Sequence, residues 1–162
     1  MRAVVSDTGP LNYLILIEAT WILPRLFASV TIPTAVKEEL SRREAPAVVR
    51  AWIARPPAWL TVARLTATIV PGVSDLHAGE REVLTHASEQ PELLVLMDDR
   101  RATVEARHRG MDVIGTLAVL DRAAANGWIN LSETFTRLRA TSFRSPLRLM
   151  ARTLEQDALR KK

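Results

Sequence analysis

Leu93-Leu94-Val95-Leu96-Met97-Asp98-Asp99-Arg100-Arg101-Ala102 is the stretch that decides the fold. Its five consecutive apolar residues form the pattern of a strand buried on both faces, the habit of parallel sheets covered by helices. Two aspartates follow at once, and then a helical stretch to about Arg109, closed by Gly110. Open α/β sheets bind their ligands at the carboxyl ends of the strands, which is where this pair stands. Asp is also a favoured helix N-cap, so Asp99 alone does not separate a cap from a site.

The pattern repeats outward from there. Ala3–Ser6 reads as a first strand, and Asp7-Thr8-Gly9-Pro10 leads into a helix through Ile17 that is apolar almost all round. Val30–Ile32 reads as a second strand ended by Pro33, with Thr34 as cap of a helix to about Ser41. Ala45–Ile53 is helical and stops at Arg55-Pro56-Pro57, and Trp59–Ala63 alternates weakly, as an edge strand does. Pro71–Asp75 forms a turn and cap before a helix from Leu76 to about Glu89. After the opening strand and its helix come a short strand, Asp112–Ile114, and a helix from Gly115-Thr116 to near Asn126-Gly127. Helical patterns around Glu133–Leu138 and Leu147–Leu159 finish the chain. Strand and helix alternate, which predicts an α/β fold with a mostly parallel sheet and polar strand ends gathered on one rim.

Size and composition suit one soluble domain. The 162 residues are 48% hydrophobic and 25% charged, room for a single core: an α/β body over 1–130 and a basic helical extension over 131–162. Without cysteine there is no disulfide and no thiolate zinc site. The chain enters a strand too early for a signal peptide, and its apolar runs, Leu14–Ile17 among them, are too short to span a bilayer. A cytoplasmic protein without membrane association is expected. The net charge of +4 divides unevenly, with +6 on 135–162 and −2 on 1–134. A carboxylate-bearing body with a basic tail suits a metal site working on a polyanion, although such arginines also serve as plain solvated helix faces.

Two glutamates sit on apolar helix faces. In the helix from Leu76, the apolar stripe is Leu76, Val83, Leu84 and Ala87, and Glu80 projects from its middle while Arg81 and Glu82 point away. In the helix after Pro33, Glu39 falls between Ala35 and Val36 on the apolar face, with Lys37 and Glu38 outside it. An ionised carboxylate facing a core is costly unless paired or bound to metal; the plainer reading is a rim residue whose head reaches water. Gly79, beside Glu80, weakens the helix by about 1 kcal/mol relative to Ala and permits close backbone approach. Asp7, Glu39, Glu80 and Asp99, with Asp98, thus form a candidate cluster. Carboxylates so packed repel one another, and a hard cation held by oxygen alone, Mg²⁺ or Mn²⁺, relieves that repulsion. His77, His86 and His108 lack ligand spacing and read as surface residues. Asp7-Thr8-Gly9 is not an aspartic-protease motif, because Pro10 opens a helix rather than a β-rich fold.

Five short motifs occur in one order: Val5-Ser6-Asp7-Thr8-Gly9-Pro10-Leu11; Ile32-Pro33 with Val36 and Glu39-Leu40; Gly79-Glu80-Arg81-Glu82; Asp98-Asp99-Arg100-Arg101-Ala102; and Val113-Ile114-Gly115-Thr116-Leu117. Together they resemble the PIN-domain superfamily, most closely its prokaryotic toxin-like subfamily, and Leu138-Arg139-Ala140 and Ser142-Phe143-Arg144 extend the likeness into the tail. The resemblance implies a three-layer α/β/α sandwich and a Mg²⁺-dependent ribonuclease, commonly the toxin of a toxin–antitoxin pair, held by a small antitoxin and often a homodimer. It assigns metal binding to Asp7, Glu80 and Asp99, with Asp98 supporting, and Glu39 matches a further acidic position. Gly115-Thr116 stands where the family has a fourth acid, which leaves the number of metals open. Thr8 and Thr116 are then contacts for a metal-bound water or substrate. Arg100, Arg101 and the tail arginines, Arg144 among them, would hold the RNA backbone. The rival readings are an inactive module that binds RNA or protein without cutting, and a phosphatase using Asp7 as nucleophile. The second lacks the Asp-x-Asp pair such enzymes need, because position 9 is Gly.

Overall fold

In a computed structural model that describes residues 1–162, five short parallel strands form one sheet. They are β1 (Val4–Ser6), β2 (Val30–Pro33), β3 (Leu60–Ala63), β4 (Leu94–Leu96) and β5 (Asp112–Ile114), in the order β3-β2-β1-β4-β5. Central strands β1 and β4 are buried at every residue, which is why their sequences are runs rather than alternations. β3 is an edge strand, as its weak alternation predicts, and β5 is the other edge.

The helices are α1 (Thr8–Leu16), α2 (Leu23–Leu26), α3 (Thr34–Leu40), α4 (Ala47–Ala54), α5 (Ala78–Glu89), α6 (Arg100–His108), α7 (Thr116–Ala125), α8 (Leu131–Arg139) and α9 (Leu147–Arg160). From β1 the chain steps outward to β2 and β3, then returns across the sheet to β4 and β5. Because β-α-β crossovers are right-handed, that reversal puts helices on both faces and produces the α/β/α sandwich. α5 packs on β1, β2 and β4, while α1 packs with α3, α4 and α7. The basic extension is part of the body: α8 and α9 pack on α7, and Leu131, Phe135, Leu138, Phe143 and Met150 join the main core. No helix is long and apolar enough to cross a membrane.

The order reverses between β1 and β4, so the two strands whose ends carry Asp7 and Asp98-Asp99 are neighbours. They pair Ser6 with Leu96, and the Asp7 N–H donates to the Leu96 carbonyl at 2.8 Å. This is a topological switch point, where an open sheet leaves a crevice beyond its carboxyl ends.

Two helix starts differ from expectation. Thr34 is not the cap of α3; Pro33 holds the extended N-cap position, and the Thr34 hydroxyl turns toward the Ala63 carbonyl of β3 at 3.4 Å. Nor does α5 begin at Leu76, directly after the Pro71–Asp75 turn and cap. It begins at Ala78 with His77 as N-cap, and Leu76 is a buried residue of the preceding loop. By contrast Asp99 does cap α6, accepting from the Ala102 N–H at 2.9 Å, and Gly110 follows that helix in the left-handed region, φ +78°.

Candidate active site

Asp7, Glu39, Glu80, Asp98 and Asp99 line one open cleft of about 380 Å³ at the carboxyl rim of the sheet. They arrive from four elements: Asp7 from the end of β1, Glu39 from α3, Glu80 from the first turn of α5, and the aspartate pair from the end of β4. Asp7 is only 6% exposed and Glu80 8%.

Burial penalises charge, and the effect is strongest at Asp7. Its pKa is pushed from 3.8 up to about 7, first by desolvation and then by the nearby Glu80, Glu39 and Asp98, against a lowering influence from the Thr8 N–H. Glu80 is raised as well, again mainly by burial, with Asp99 and Glu39 adding to it. The His77 N–H opposes that shift by donating to Glu80 Oε2 at 3.2 Å, and the imidazole Nδ1 lies 4.0 Å from Oε1.

Glu39 and Asp98 are braced on both oxygens. Glu39 accepts from the Thr8 hydroxyl and, at 2.8 Å, from the Gly79 N–H, so it ties α3 to the N-termini of α1 and α5. Gly79 makes room for this contact: a Cβ there would stand 2.7 Å from Glu39 Oε2, and the carboxylate would have to shift. Asp98 accepts from the Thr116 N–H at 2.8 Å and the Thr116 hydroxyl at 2.5 Å, and a Cβ on Gly115 would lie 3.0 Å from its Oδ1. Burial raises the Asp98 pKa while both Thr116 bonds lower it.

The remaining residues singled out in the sequence separate cleanly. Thr8 and Arg144 line the cleft. Thr116 does not: it is fully buried and its hydroxyl is spent on Asp98, so it braces that carboxylate rather than facing a metal-bound water. Arg100 and Arg101 lie outside the lining, and Arg101 pairs with Asp75 at 2.7 Å. His77 is exposed, as expected of a surface residue, and also borders the cleft as the N-cap of α5. The sequence also hid a wall formed by Tyr13, Ser142 and Phe143. Here the Tyr13 and Phe143 rings meet edge-to-face at 5.1 Å, and the Tyr13 and Ser142 hydroxyls lie 3.3 Å apart. Only folding joins positions 129 residues apart; the Phe143 motif was the one visible signal.

No three Asp, Glu or His side chains form a ready-made cage for a metal ion. The donor set nonetheless fits a hard cation. It is all oxygen, it is clustered, and Asp7 pays a desolvation penalty that a cation would remove.

The sequence matches the family described as DUF3368, PIN domain, over residues 3–158. None of the curated proteins matches it. Among solved structures it is similar to the PIN domain endonuclease Utp24, with TM-score 0.53, 15% identity, and coverage of 70% of this chain and 84% of that one. It is also similar to a PilT N-terminus domain protein from the hyperthermophilic archaeon Sulfolobus solfataricus P2, with TM-score 0.53, 18% identity, and coverage of 76% and 93%. At these identities the likeness is one of fold.

Proposed function

Because the chain belongs to the PIN-domain family, we propose that it is a nuclease, specifically a Mg²⁺-dependent endoribonuclease acting as the toxin of a toxin–antitoxin pair. The observation that supports this reading is the meeting of five carboxylates in one cleft at the switch point of the sheet. The similar fold of Utp24, itself a PIN domain endonuclease, is in keeping with it.

Asp7, Glu80 and Asp99 would hold the ion, since Glu39 and Asp98 already use both oxygens within the protein. A divalent ion held there would supply an acidified water and charge neutralisation at the phosphate. Glu39 fixes the N-termini of α1 and α5, and with them Asp7 and Glu80. Asp98, held by Thr116, keeps the end of β4 in place beside β1. Arg144 is the one arginine bordering the acidic cleft, and its guanidinium suits a phosphodiester oxygen. The cell compartment would be the cytoplasm, and the partners a small antitoxin and a second copy of the chain.

The test is cleavage of RNA by the purified chain with Mg²⁺ or Mn²⁺. EDTA should abolish turnover, and Asp7→Asn or Glu80→Gln should lower it about 100-fold or more, because a metal's charge stabilisation is worth several kcal/mol. Undiminished cleavage in both variants would show that the chemistry lies elsewhere. Expression should arrest growth, and the product of a small neighbouring reading frame should relieve it. Absence of arrest removes the toxin role while leaving the nuclease assay to stand on its own.

A further inference from the structure

We propose that single-stranded RNA leaves the acidic cleft along a groove beside β5 and is held there at its phosphates by Arg107 and Arg122. This rests on the ribonuclease reading above. The groove, about 520 Å³, shares Asp98, Phe143 and Arg144 with the cleft, so the two are continuous. It runs between α6, the edge strand β5, α7 and α9, then opens into a shallower depression that again includes Arg107 and Arg122 and ends at Arg2.

Charge distinguishes these two arginines from the others around them. Arg2, Arg101, Arg109 and Arg160 are each engaged by a carboxylate within 2.8 Å. Arg107 and Arg122 are exposed and donate to no carboxylate or carbonyl. The acid between them and α9, Asp121, is already taken by Arg160 at 2.6 Å, and Asp112 on the strand is taken by Arg2 at 2.8 Å. With Arg144, which donates only to the Ser142 and Phe143 carbonyls and makes no ion pair, they line a path that begins at the cleft.

Met97, Val113, Leu117 and Leu149 place apolar side chains among the polar ones that line the groove, and Phe143 stands where it meets the cleft. Cations for the phosphates with an aromatic ring beside them suit a strand whose bases are unpaired and free to lie against the protein. A duplex keeps its base faces stacked inside, out of reach of such side chains.

The experiment uses the full chain in EDTA, so that nothing is cut, and a fluorescent single-stranded oligouridine followed by anisotropy across a salt series. Arg107→Ala/Arg122→Ala should weaken binding about tenfold and reduce the slope of log K against log salt by about 1.4, the share of two phosphate contacts on a single strand. Arg55→Ala/Arg64→Ala, at the opposite edge of the sheet, should leave both unchanged. An unchanged slope in the groove variant overturns the route and points to a protein partner on the β5 edge. Equal losses with duplex RNA overturn the single-strand assignment. A wild-type chain that binds no oligouridine in EDTA also overturns the route, whereas the ribonuclease reading fails separately, by absence of cleavage with Mg²⁺ or Mn²⁺.

Discussion

Two carboxylates of the cleft are tied down and three are left open, and both kinds come from the same rim. Glu39 and Asp98 each accept a threonine hydroxyl and a backbone N–H at a helix N-terminus, with a glycine making room beside the carboxylate. Asp7 starts α1 without capping it, Glu80 accepts only from His77 at 3.2 Å, and Asp99 accepts only from Ala102 at 2.9 Å. Residue type and burial therefore do not decide the role. What decides it is whether donors already satisfy the oxygens: where they do, the acid holds helices together, and where they do not, a charge is left for something from outside to neutralise.

The largest effect expected from breaking this division is at Asp7. Its carboxyl keeps a proton up to about pH 7 when folded but only to 3.8 in its ordinary state. Between those values the folded chain binds more protons than the unfolded one, so stability falls as pH rises and levels off above about 7. The full difference is roughly 4 kcal/mol, or on the order of 10 °C for a domain of this size. In EDTA, Asp7→Asn should match wild type near pH 4 and melt higher at pH 8. Mg²⁺ at pH 8 should raise the melting temperature of wild type more than that of the variant. A wild-type minus variant difference that stays flat from pH 4 to 8 would mean that Asp7 is not the strained member of the group.

A smaller effect is expected where a braced acid is pushed. Gly79→Ala places a methyl 2.7 Å from Glu39 Oε2, inside contact distance, and the side chain cannot retreat without losing the Thr8 and Gly79 donors. Overpacking of this kind costs about 1–3 kcal/mol, more than the gain of up to about 1 kcal/mol from replacing Gly by Ala in a helix. Denaturant midpoints should therefore fall. A rise would show that Glu39 is free to move, and that it belongs with the open acids.

How far this division was legible depends on the range of the signal. Five apolar residues ending in Asp98-Asp99 disclose a doubly buried strand, and helical spacing turns Glu39 and Glu80 toward the core, because both patterns are local. The start of α5 is hidden because Leu76 continues the apolar spacing of the helix although it lies in a loop. His followed three residues later by Glu was the better signal, since Glu80 accepts from the His77 N–H. Thr34 looked like a cap because of its residue type, but Pro33 is already extended and the hydroxyl finds a carbonyl on β3 instead. Which of two adjacent aspartates would be braced was beyond reach. Asp98 meets Thr116 only because β4 and β5 pair Leu96 with Ile114, a register that no local pattern states. The arginines divide for the same reason: Arg101 is drawn to Asp75, while Arg144 is carried to the cleft by the loop between α8 and α9.

The finest test of the comparison removes one donor and leaves the other. Thr116→Val keeps the N–H that reaches Asp98 Oδ1 at 2.8 Å and deletes the hydroxyl that reaches Oδ2. Valine has nearly the same shape, so the fully buried site stays filled, and the loss is one hydrogen bond to a carboxylate, about 1–2 kcal/mol. Its second signature is chemical. Both Thr116 bonds lower the Asp98 pKa against the effect of burial, so with one gone that pKa must rise, and NMR titration of the Asp98 carboxyl should shift upward. Half-released, Asp98 would come to resemble Asp7, an acid with an oxygen to offer, and added Mg²⁺ should then stabilise the variant more than it stabilises wild type. A pKa that does not move would show that the strand end, and not the threonine, holds Asp98 in place.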